Sequence, residues 1–211
     1  MQPPALKPPI LKQKVAILIS GRGSNMVALV KAAQAPDYPA EIVLVLSNKP
    51  DAAGLETARG LGVEAIAVPA KPFGKDREAH ERAIDAELTA RGVRIVCLAG
   101  YMRLLTPWLV QRWEGRMLNI HPSLLPKFPG LDTHERAIEA GEAEHGCTVH
   151  LVTEGMDEGP VLGQARVPVL PGDTEAALAA RVLEQEHRLY PAMLAELALK
   201  LQEGDATPLK H

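Results

Sequence analysis

Asn119 and His121 lie two residues apart at the end of a short apolar run, and this spacing could support chemistry. On an extended chain such residues point to the same side, roughly 6.5–7 Å apart along the strand. Pro122 follows at once and lacks the backbone donor that a further ladder bond needs. The segment therefore presents an amide and an imidazole where a strand ends, and strand ends of open α/β sheets bind ligands. The spacing alone leaves open a buried Asn and His before an ordinary turn.

A glycine-rich turn is a second candidate, for binding an anion. Residues 14–20 are typical of a buried strand, Gly-Arg-Gly-Ser-Asn follows at 21–25, and residues 26–33 fit a helix. Free N–H groups and the helix dipole would then face a bound anion. A dinucleotide is one possibility, but the turn lacks the third glycine of that motif, and the next strand ends in Asn48 rather than an acid. A monophosphate fits better, and a simple tight turn is the alternative.

The elements that must position these residues alternate along the chain. Apolar runs typical of buried strands alternate with amphipathic stretches that end at glycine or proline. This order predicts a doubly wound, mostly parallel α/β sheet with right-handed crossovers. The predicted strands are 14–20, 41–47, 63–68, 94–99, 117–120, 147–152 and 161–169. The predicted helices are 26–33, 51–61, 76–91, a short one that ends at Ala140, and a long one from about Thr174 that Pro191 breaks or kinks.

The composition is that of an ordinary globular protein. The 211 residues suffice for one sizeable domain, with 46% hydrophobic and 23% charged residues. The net charge of −3 argues against a nucleic-acid surface, and no apolar run is long enough to span a membrane. We expect a disordered arm at 1–13, one domain at 14–200 and a polar tail at 201–211. Cys97 and Cys147 lie in apolar runs, which favours buried free thiols in the cytoplasm over a disulfide.

Histidines and an acid in the second half of the chain suggest a metal site, which their spacing disfavours. His134, His145, His150 and Asp157 follow His121. No pair has the helical His-x-x-x-His spacing, and no cysteine pair forms a zinc knuckle. We therefore predict that no metal is bound.

The longer string at the strand end has a specific match. Asn-Ile-His-Pro-Ser-Leu-Leu-Pro-Lys-Phe-Pro-Gly, at 119–130, closely resembles the signature of the folate-dependent formyltransferases. The turn Ser-Gly-Arg-Gly-Ser-Asn at 20–25 resembles their phosphate loop, and Gly-Tyr-Met-Arg-Leu-Leu at 100–105 resembles their folate-binding stretch. Thr-Val-His-Leu-Val at 148–152 and Asp-Glu-Gly-Pro at 157–160 resemble their second catalytic segment.

The resemblance covers about residues 14–200 and implies a single-domain, Rossmann-like fold. It also implies transfer of the formyl group of 10-formyltetrahydrofolate, as co-substrate, to the amine of glycinamide ribonucleotide in purine synthesis. Asn119 and protonated His121 would stabilise the tetrahedral oxyanion, and Asp157 would hold the imidazolium. By resemblance, the nucleotide would contact Gly23, Ser24, Asn25 and Glu186. By resemblance, the folate would contact Arg77, Met102, Arg103, Leu104, Leu105, Asn119, Thr153, Glu154, Gly155, Met156 and Asp157.

Rival interpretations remain at this point. Methionyl-tRNA formyltransferase and formyltetrahydrofolate deformylase share the catalytic set, but they usually carry an extra C-terminal or N-terminal domain. A nicotinamide-dependent oxidoreductase would use the Gly21 turn for pyrophosphate, and a non-catalytic nucleotide-binding module would need neither His121 nor Asp157. Leu183 stands where the family often has Gln or Lys, which would remove one contact to the nucleotide. Small molecules are the expected partners, without nucleic acid or membrane, and the chain would be a monomer or homodimer.

Overall fold

The computed structural model describes residues 11–203, which form one sheet with helices on both faces. The strands are β1 (Gln13–Ile19), β2 (Ala40–Ser47), β3 (Ala65–Ala67), β4 (Ile95–Leu98), β5 (Met117–His121), β6 (Glu144–Leu151) and β7 (Val161–Pro168). The helices are α1 (Ser24–Ala33), α2 (Ala53–Gly60), α3 (Arg77–Ala90), α4 (Pro107–Arg112), α5 (Thr133–Glu139) and α6 (Glu175–Gln202), with a 3-10 helix at Lys71–Phe73. The predicted doubly wound, mostly parallel α/β fold is confirmed.

The sheet changes direction at β5. The strand order is β3-β2-β1-β4-β5-β6-β7. The pairs from β3 to β5 are parallel, whereas β5–β6 and β6–β7 are antiparallel. Because the chain first adds strands on the β3 side of β1 and then on the β4 side, the order reverses between β1 and β4. Ligands bind beyond the carboxyl ends of the strands at such a point.

Two apolar clusters, one on each face, attach the helices to the sheet. On one face Tyr190 and Leu194 of α6 pack together with α1 and α2 against residues of β1 that include Ile17. On the other face Ile84 of α3 and Leu109 of α4 pack against the alternate β1 residues. A strand that is covered on both faces has a continuous apolar sequence, which is why β1 and β4 are easily predicted.

Several elements differ from the prediction. The sequence predicts neither α4 nor the 3-10 helix, because such short runs carry little periodicity. β6 begins at Glu144 rather than at Cys147, because pairing of Glu144 with Pro168 extends the ladder. α6 continues through Pro191 to Gln202, so of the predicted break or kink the break is wrong. The helix tolerates the lost hydrogen bond because it is buried against the sheet on both sides of the proline.

The predicted arm and tail lie mostly outside the described residues, at 1–10 and 204–211. Gln13, the last residue of the predicted arm, is instead the first residue of β1 and pairs with Ala40 of β2. α6 reaches Gln202, within the predicted tail. Both cysteines are buried free thiols, as predicted. Within residues 11–203, no helix is long and apolar enough to cross a membrane.

Gly54 allows α2 to press against the loop that follows β1. Its N–H donates to the Gly21 carbonyl at 3.0 Å. A Cβ atom on Gly54 would lie 2.5 Å from Ile19 Cδ1 and 2.9 Å from the Gly21 oxygen. Side chains do not approach other atoms this closely, so the position requires glycine. This contact ties α2 to the glycine turn.

Gly54→Ala should therefore destabilise the protein by about 1–3 kcal/mol, the usual cost of adding atoms to a packed site. Gly60→Ala is the matched control in the same helix, since an added Cβ there meets no described atom within 4 Å. The control should be neutral or slightly stabilising. Urea unfolding of both variants measures the difference, and equal stabilities would contradict the packing role of Gly54.

Candidate active site

The loop after β1 meets the segment after β4 where the strand order reverses. The Ser20 N–H donates to the Gly100 carbonyl at 3.1 Å. The Ser20 hydroxyl donates to Asn48 Oδ1 at 2.6 Å and accepts from the Met102 N–H at 2.8 Å. One buried hydroxyl thus joins the carboxyl ends of β1, β2 and β4. Asn48, which lies where a dinucleotide-binding fold has its acid, is engaged in this contact.

The glycine turn forms an open helix N-terminus. Gly23 precedes α1 with φ 70° and ψ 46°, a left-handed conformation that glycine adopts without strain. No side chain among the described residues caps α1, which begins at Ser24. The N–H of Val27 bonds to the Gly23 carbonyl at 3.0 Å. The earlier N–H groups therefore point out of the helix end, an arrangement that suits an anion.

Asn25 connects this turn to α6. Its Nδ2 donates to Glu186 Oε2 at 2.7 Å, and Glu186 is only 7% exposed. Burial raises the pKa of the Glu186 carboxyl, opposed by the Asn25 hydrogen bond and by the nearby His187 and His121. Asn25 Oδ1 is buried with no hydrogen-bond partner among the described residues. A carboxyl group and an amide oxygen beside the turn can therefore accept from hydroxyl groups.

The imidazole of His121, at the end of β5, lies between two acceptors. Its Nε2 is 2.9 Å from the Phe128 carbonyl oxygen, and its Nδ1 is 3.4 Å from Asp157 Oδ2, an ion-pair distance. A neutral ring has one N–H and can satisfy one acceptor, whereas the doubly protonated ring satisfies both. The residue is 6% exposed, so water has little access to it. The geometry places the imidazole between a carbonyl oxygen and a carboxyl group.

Asp157 reaches this position in a strained backbone conformation. Its φ is 56°, and its Oδ2 also accepts the Gly130 N–H at 3.0 Å. Phe128 and Asp132, with φ of 53° and 56°, are the other non-glycine residues with positive φ in the described chain. All three lie in the two loops that meet at the imidazole. Strain of this kind costs on the order of 1–3 kcal/mol per residue and clusters at functional sites.

His150 aligns the amide of Asn119. Burial lowers the pKa of His150, so the ring is neutral near pH 7, and its Nδ1 donates to the Leu151 carbonyl at 3.0 Å. Its Nε2 is therefore an acceptor, with Asn119 Nδ2 3.4 Å away. The same Nε2 is 3.8 Å from Asp157 Oδ1, which is too long for a hydrogen bond. Asn119 retains a second amide N–H for a substrate.

A second buried hydroxyl attaches the 122–134 loop to the antiparallel strands. Thr148 Oγ1 donates to the Ser123 carbonyl at 2.7 Å and accepts from Leu125 N–H at 3.1 Å. Gln164 Nε2 donates to Thr148 Oγ1 at 3.0 Å and to the Leu125 carbonyl at 2.8 Å. The hydroxyl has used its one donor and both acceptor positions. The turn after β5 is thereby fixed on β6 and β7.

Two exposed stretches border the site with apolar side chains. Met102 and Leu104, after β4, are 66% and 63% exposed, and Met156, beside Asp157, is 56% exposed. Leu105 is partly buried against the α3–α4 face. Half-buried residues of the same stretches are Arg103, Thr153 and Gly155. Exposed apolar groups next to a polar cluster are typical of a binding site for a partly apolar ligand.

Helices α3 and α4 reach both stretches from the side. Arg77 Nη1, at the start of α3, donates to the Leu104 carbonyl at 3.4 Å. Gln111 Nε2 of α4 donates to Glu154 Oε1 at 2.7 Å. Such exposed contacts add little to the free energy of unfolding. Their main effect is to position the two exposed stretches.

Two of the histidines that were considered as metal ligands lie beside each other. His145 Nε2 is 3.2 Å from His134 Nδ1. Burial lowers the pKa of both rings, to about 4 for His145. No group of three or more His, Cys, Asp or Glu side chains that could hold a metal ion is found within residues 11–203.

Comparison with known proteins decides the family. Residues 13–194 match the family described as formyl transferase. Phosphoribosylglycinamide formyltransferase of Escherichia coli (strain K12) is 46% identical over 195 residues, which cover 91% of this chain and 92% of that protein. The crystal structure of phosphoribosylglycinamide formyltransferase from Brucella melitensis is 58% identical, with a TM-score of 0.85, covering 89% of this chain and 96% of that one. The chain belongs to the phosphoribosylglycinamide formyltransferase family. The family predicted from the sequence motifs is thus confirmed.

Other relatives of this chain are much longer. The trifunctional purine biosynthetic protein adenosine-3 of Drosophila pseudoobscura pseudoobscura is 48% identical over 189 residues. The match covers 89% of this chain, and the chain spans only 14% of the length of that relative.

The residues predicted from the formyltransferase motifs lie in two adjacent groups. Asn119, His121 and Asp157 converge through His150 and the two loops, whereas Asn25 and Glu186 meet beside the glycine turn. The predicted folate stretches flank the first group. The supporting residues Gly54, Gln111 and Gln164 are missed by sequence reasoning, because each acts through a partner far away in the chain. Of these three residues only Gly54 carries a local signal in the sequence, because glycine is unfavourable in the first turn of a helix.

The raised pKa of Glu186 predicts a pH-dependent stability. The pKa of Glu186 in the folded state lies above the ordinary value of 4.5. The contribution of Glu186 to the free energy of unfolding is therefore fully present below pH 4.5. It is lost as the pH rises through the folded pKa. Glu186→Gln removes the titration, so the variant should become more stable relative to wild type as the pH rises from about 4 to about 8.

Thermal unfolding of wild type and Glu186→Gln across this pH range measures the effect. Glu184→Gln, at an exposed position of the same helix, is the control and should show no such trend. A stability difference between Glu186→Gln and wild type that does not vary with pH would argue against the raised pKa.

Proposed function

We propose that this chain transfers the formyl group of 10-formyltetrahydrofolate to the amine of glycinamide ribonucleotide, a step of purine synthesis. Membership of the formyltransferase family and the activity named for the Escherichia coli relative support this proposal. The observation that carries it is the His121 imidazole between the Phe128 carbonyl and the Asp157 carboxylate, on the same strand as the Asn119 amide. These groups supply two donors and a charge at one strand end.

In this proposal residues 14–200 are the formyltransferase domain. The N-terminal half binds the nucleotide phosphate, and the C-terminal half binds the folate and carries the catalytic groups. The cytoplasmic location and the monomeric or homodimeric state remain predictions.

The reaction needs an oxyanion site and a route for one proton. The amine nitrogen attacks the formyl carbon, the carbonyl electron pair moves to oxygen, and a tetrahedral intermediate forms. Its collapse re-forms the carbonyl and breaks the bond to N10 of the folate. N10 keeps that electron pair and gains a proton, while the amine loses one. The amine attacks directly, so no nucleophilic Ser or Cys is required.

Asn119 and His121 are suited to hold the oxyanion. The second amide N–H of Asn119 is one donor. The Nε2–H of His121, bonded to the Phe128 carbonyl, would exchange this neutral oxygen for the oxyanion, which is the stronger acceptor. Asp157 would keep the positive charge on the ring throughout. Donors aimed at the developing charge usually supply the largest part of such catalysis.

We assign the nucleotide to the glycine turn and α6. The backbone N–H groups of Gly23, Ser24 and Asn25 would bind its phosphate. The Glu186 carboxyl and the amide oxygen of Asn25 would accept from its ribose hydroxyls. Leu183 offers no polar contact to the nucleotide, so backbone groups carry most of the phosphate binding.

We assign the folate to the surface formed by the two exposed stretches. The exposed apolar side chains of Met102, Leu104 and Met156 suit a flat ring system. The proposed folate contacts are Arg77, Met102, Arg103, Leu104, Leu105, Asn119, Thr153, Glu154, Gly155, Met156 and Asp157.

A formyl-transfer assay with the purified protein and both substrates tests the proposal. Activity is expected, together with calorimetric binding of glycinamide ribonucleotide and of tetrahydrofolate, but not of NADH. In the same assay Asn119→Ala should lower kcat by roughly 10²–10³, the usual cost of one oxyanion donor. Its affinity for the nucleotide should change little. NADH binding without formyl transfer would overturn the proposal in favour of an oxidoreductase.

His121 and Asp157 should behave as one catalytic unit. Asp157→Asn removes the charge that holds the imidazolium, and His121→Asn removes the ring. Each variant should lower kcat by at least roughly 10². The double variant should be little worse than either, because residues that act as a unit are not additive. The kcat values of the four proteins measure the coupling.

Glu158→Gln, at the exposed position next to Asp157, is the matched control and should keep the wild-type kcat. If the losses of the two single variants add in the double variant, Asp157 supports the loop rather than the charge of His121.

A further inference from the structure

Glu81 is a buried acid that the proposed reaction does not use. It lies in α3 and is 3% exposed. Within the described chain, Glu81 and Glu186 are the only acidic residues that are buried as whole residues. None of the ion pairs formed by the described residues includes Glu81. Burial of an unpaired carboxylate is costly unless hydrogen bonds replace its water.

Thr106 supplies those hydrogen bonds. Its backbone N–H donates to Glu81 Oε1 at 2.8 Å, and its hydroxyl donates to Oε2. Thr106 occupies the N-cap position of α4, where threonine ordinarily accepts from the first turn of the helix. Here its side chain makes no capping bond and is directed at the carboxylate instead. The carboxylate therefore fixes both the backbone and the side chain of one residue.

Thr106, which Glu81 fixes, is the last residue of the 101–106 segment. Arg77, one turn earlier on the same face of α3, donates to the Leu104 carbonyl of that segment. At its other end, the Met102 N–H bonds to the Ser20 hydroxyl. The segment is thus held near its start at Met102, at its end at Thr106, and between them at Leu104. Among the described residues, Glu81 is the only buried charged residue that holds it.

The segment starts beside the candidate active site. Leu98, the last residue of β4, pairs with Asn119 of β5. Three residues after Ala99 the chain reaches Met102, whose exposed side chain is followed by that of Leu104. A displacement of Thr106 would therefore move the apolar wall next to Asn119, while the glycine turn and Glu186 lie against the opposite face of the sheet.

We propose that Glu81 is a positioning residue that sets the folate affinity of this protein by holding Thr106 and the 101–106 segment. The inference rests on the proposed formyl transfer from 10-formyltetrahydrofolate. Glu81 itself touches neither substrate in this proposal. Its effect falls on the folate rather than the nucleotide, because Thr106 lies at the end of the segment away from Met102, which bonds to Ser20 at the start of the glycine turn.

Three variants of the full chain test this inference. Thr106→Val removes the hydroxyl, Thr106→Ser keeps it, and Glu81→Gln keeps one acceptor but turns an amide N–H toward the other donor. Glu78→Gln is the matched control, because Glu78 is an exposed acid on the same helix. The measurements are KM for 10-formyltetrahydrofolate, kcat at saturation, and calorimetric binding of tetrahydrofolate and of glycinamide ribonucleotide.

Thr106→Val and Glu81→Gln should raise KM for 10-formyltetrahydrofolate roughly tenfold, as expected for the loss of one hydrogen bond to a charged group. Nucleotide affinity and saturated kcat should stay near wild type, and Thr106→Ser and Glu78→Gln should leave KM unchanged. Equal losses for both ligands, or unaltered KM in Thr106→Val, would overturn the inference. Absence of formyl transfer in the wild type would instead refute the proposed function.

Discussion

The imidazole of His121 determines how three parts of the chain meet. β5 supplies the ring, the loop after it supplies the Phe128 carbonyl, and the loop after β6 supplies the Asp157 carboxylate. A buried imidazole must keep hydrogen-bond partners for its ring nitrogens, because an unpaired polar group inside a protein is costly. The left-handed backbone of Phe128 and Asp157 is tolerated because those two residues provide the acceptors. The local strain and the ion pair are thus two aspects of one arrangement.

Two buried hydroxyl groups connect this centre to the sheet. Ser20 joins the ends of the parallel strands, and Thr148 joins the 122–134 loop to the antiparallel pair. Each hydroxyl acts as donor and acceptor at once, so neither leaves a buried polar group unsatisfied. The strand order explains the need for both, since the site lies where a parallel half of the sheet adjoins an antiparallel half. Side chains rather than ladder bonds have to bridge the loops there.

The sequence predicts the features that depend on neighbouring residues and misses those that depend on contacts between residues far apart in the chain. β1 and the glycine turn follow from a continuous apolar run and a short motif, and the pair Asn119 and His121 follows from strand periodicity. Glu81, by contrast, lies in a helix whose surface is rich in charge, and nothing in its neighbourhood distinguishes it from solvated acids such as Glu78. Its role depends on Thr106, 25 residues away. Helix α4 is missed for a related reason, because six residues define no period.

The two buried acids lie on opposite faces of the sheet. Glu186 belongs to α6, which packs with α1 and α2, and Glu81 belongs to α3, which packs with α4. In our proposals each acid serves one substrate. Replacing either acid should then alter mainly the affinity for its own substrate, because the two acids pack on different faces and share no hydrogen-bond partner. On these proposals, the affinities for the nucleotide and for the folate can change through separate substitutions.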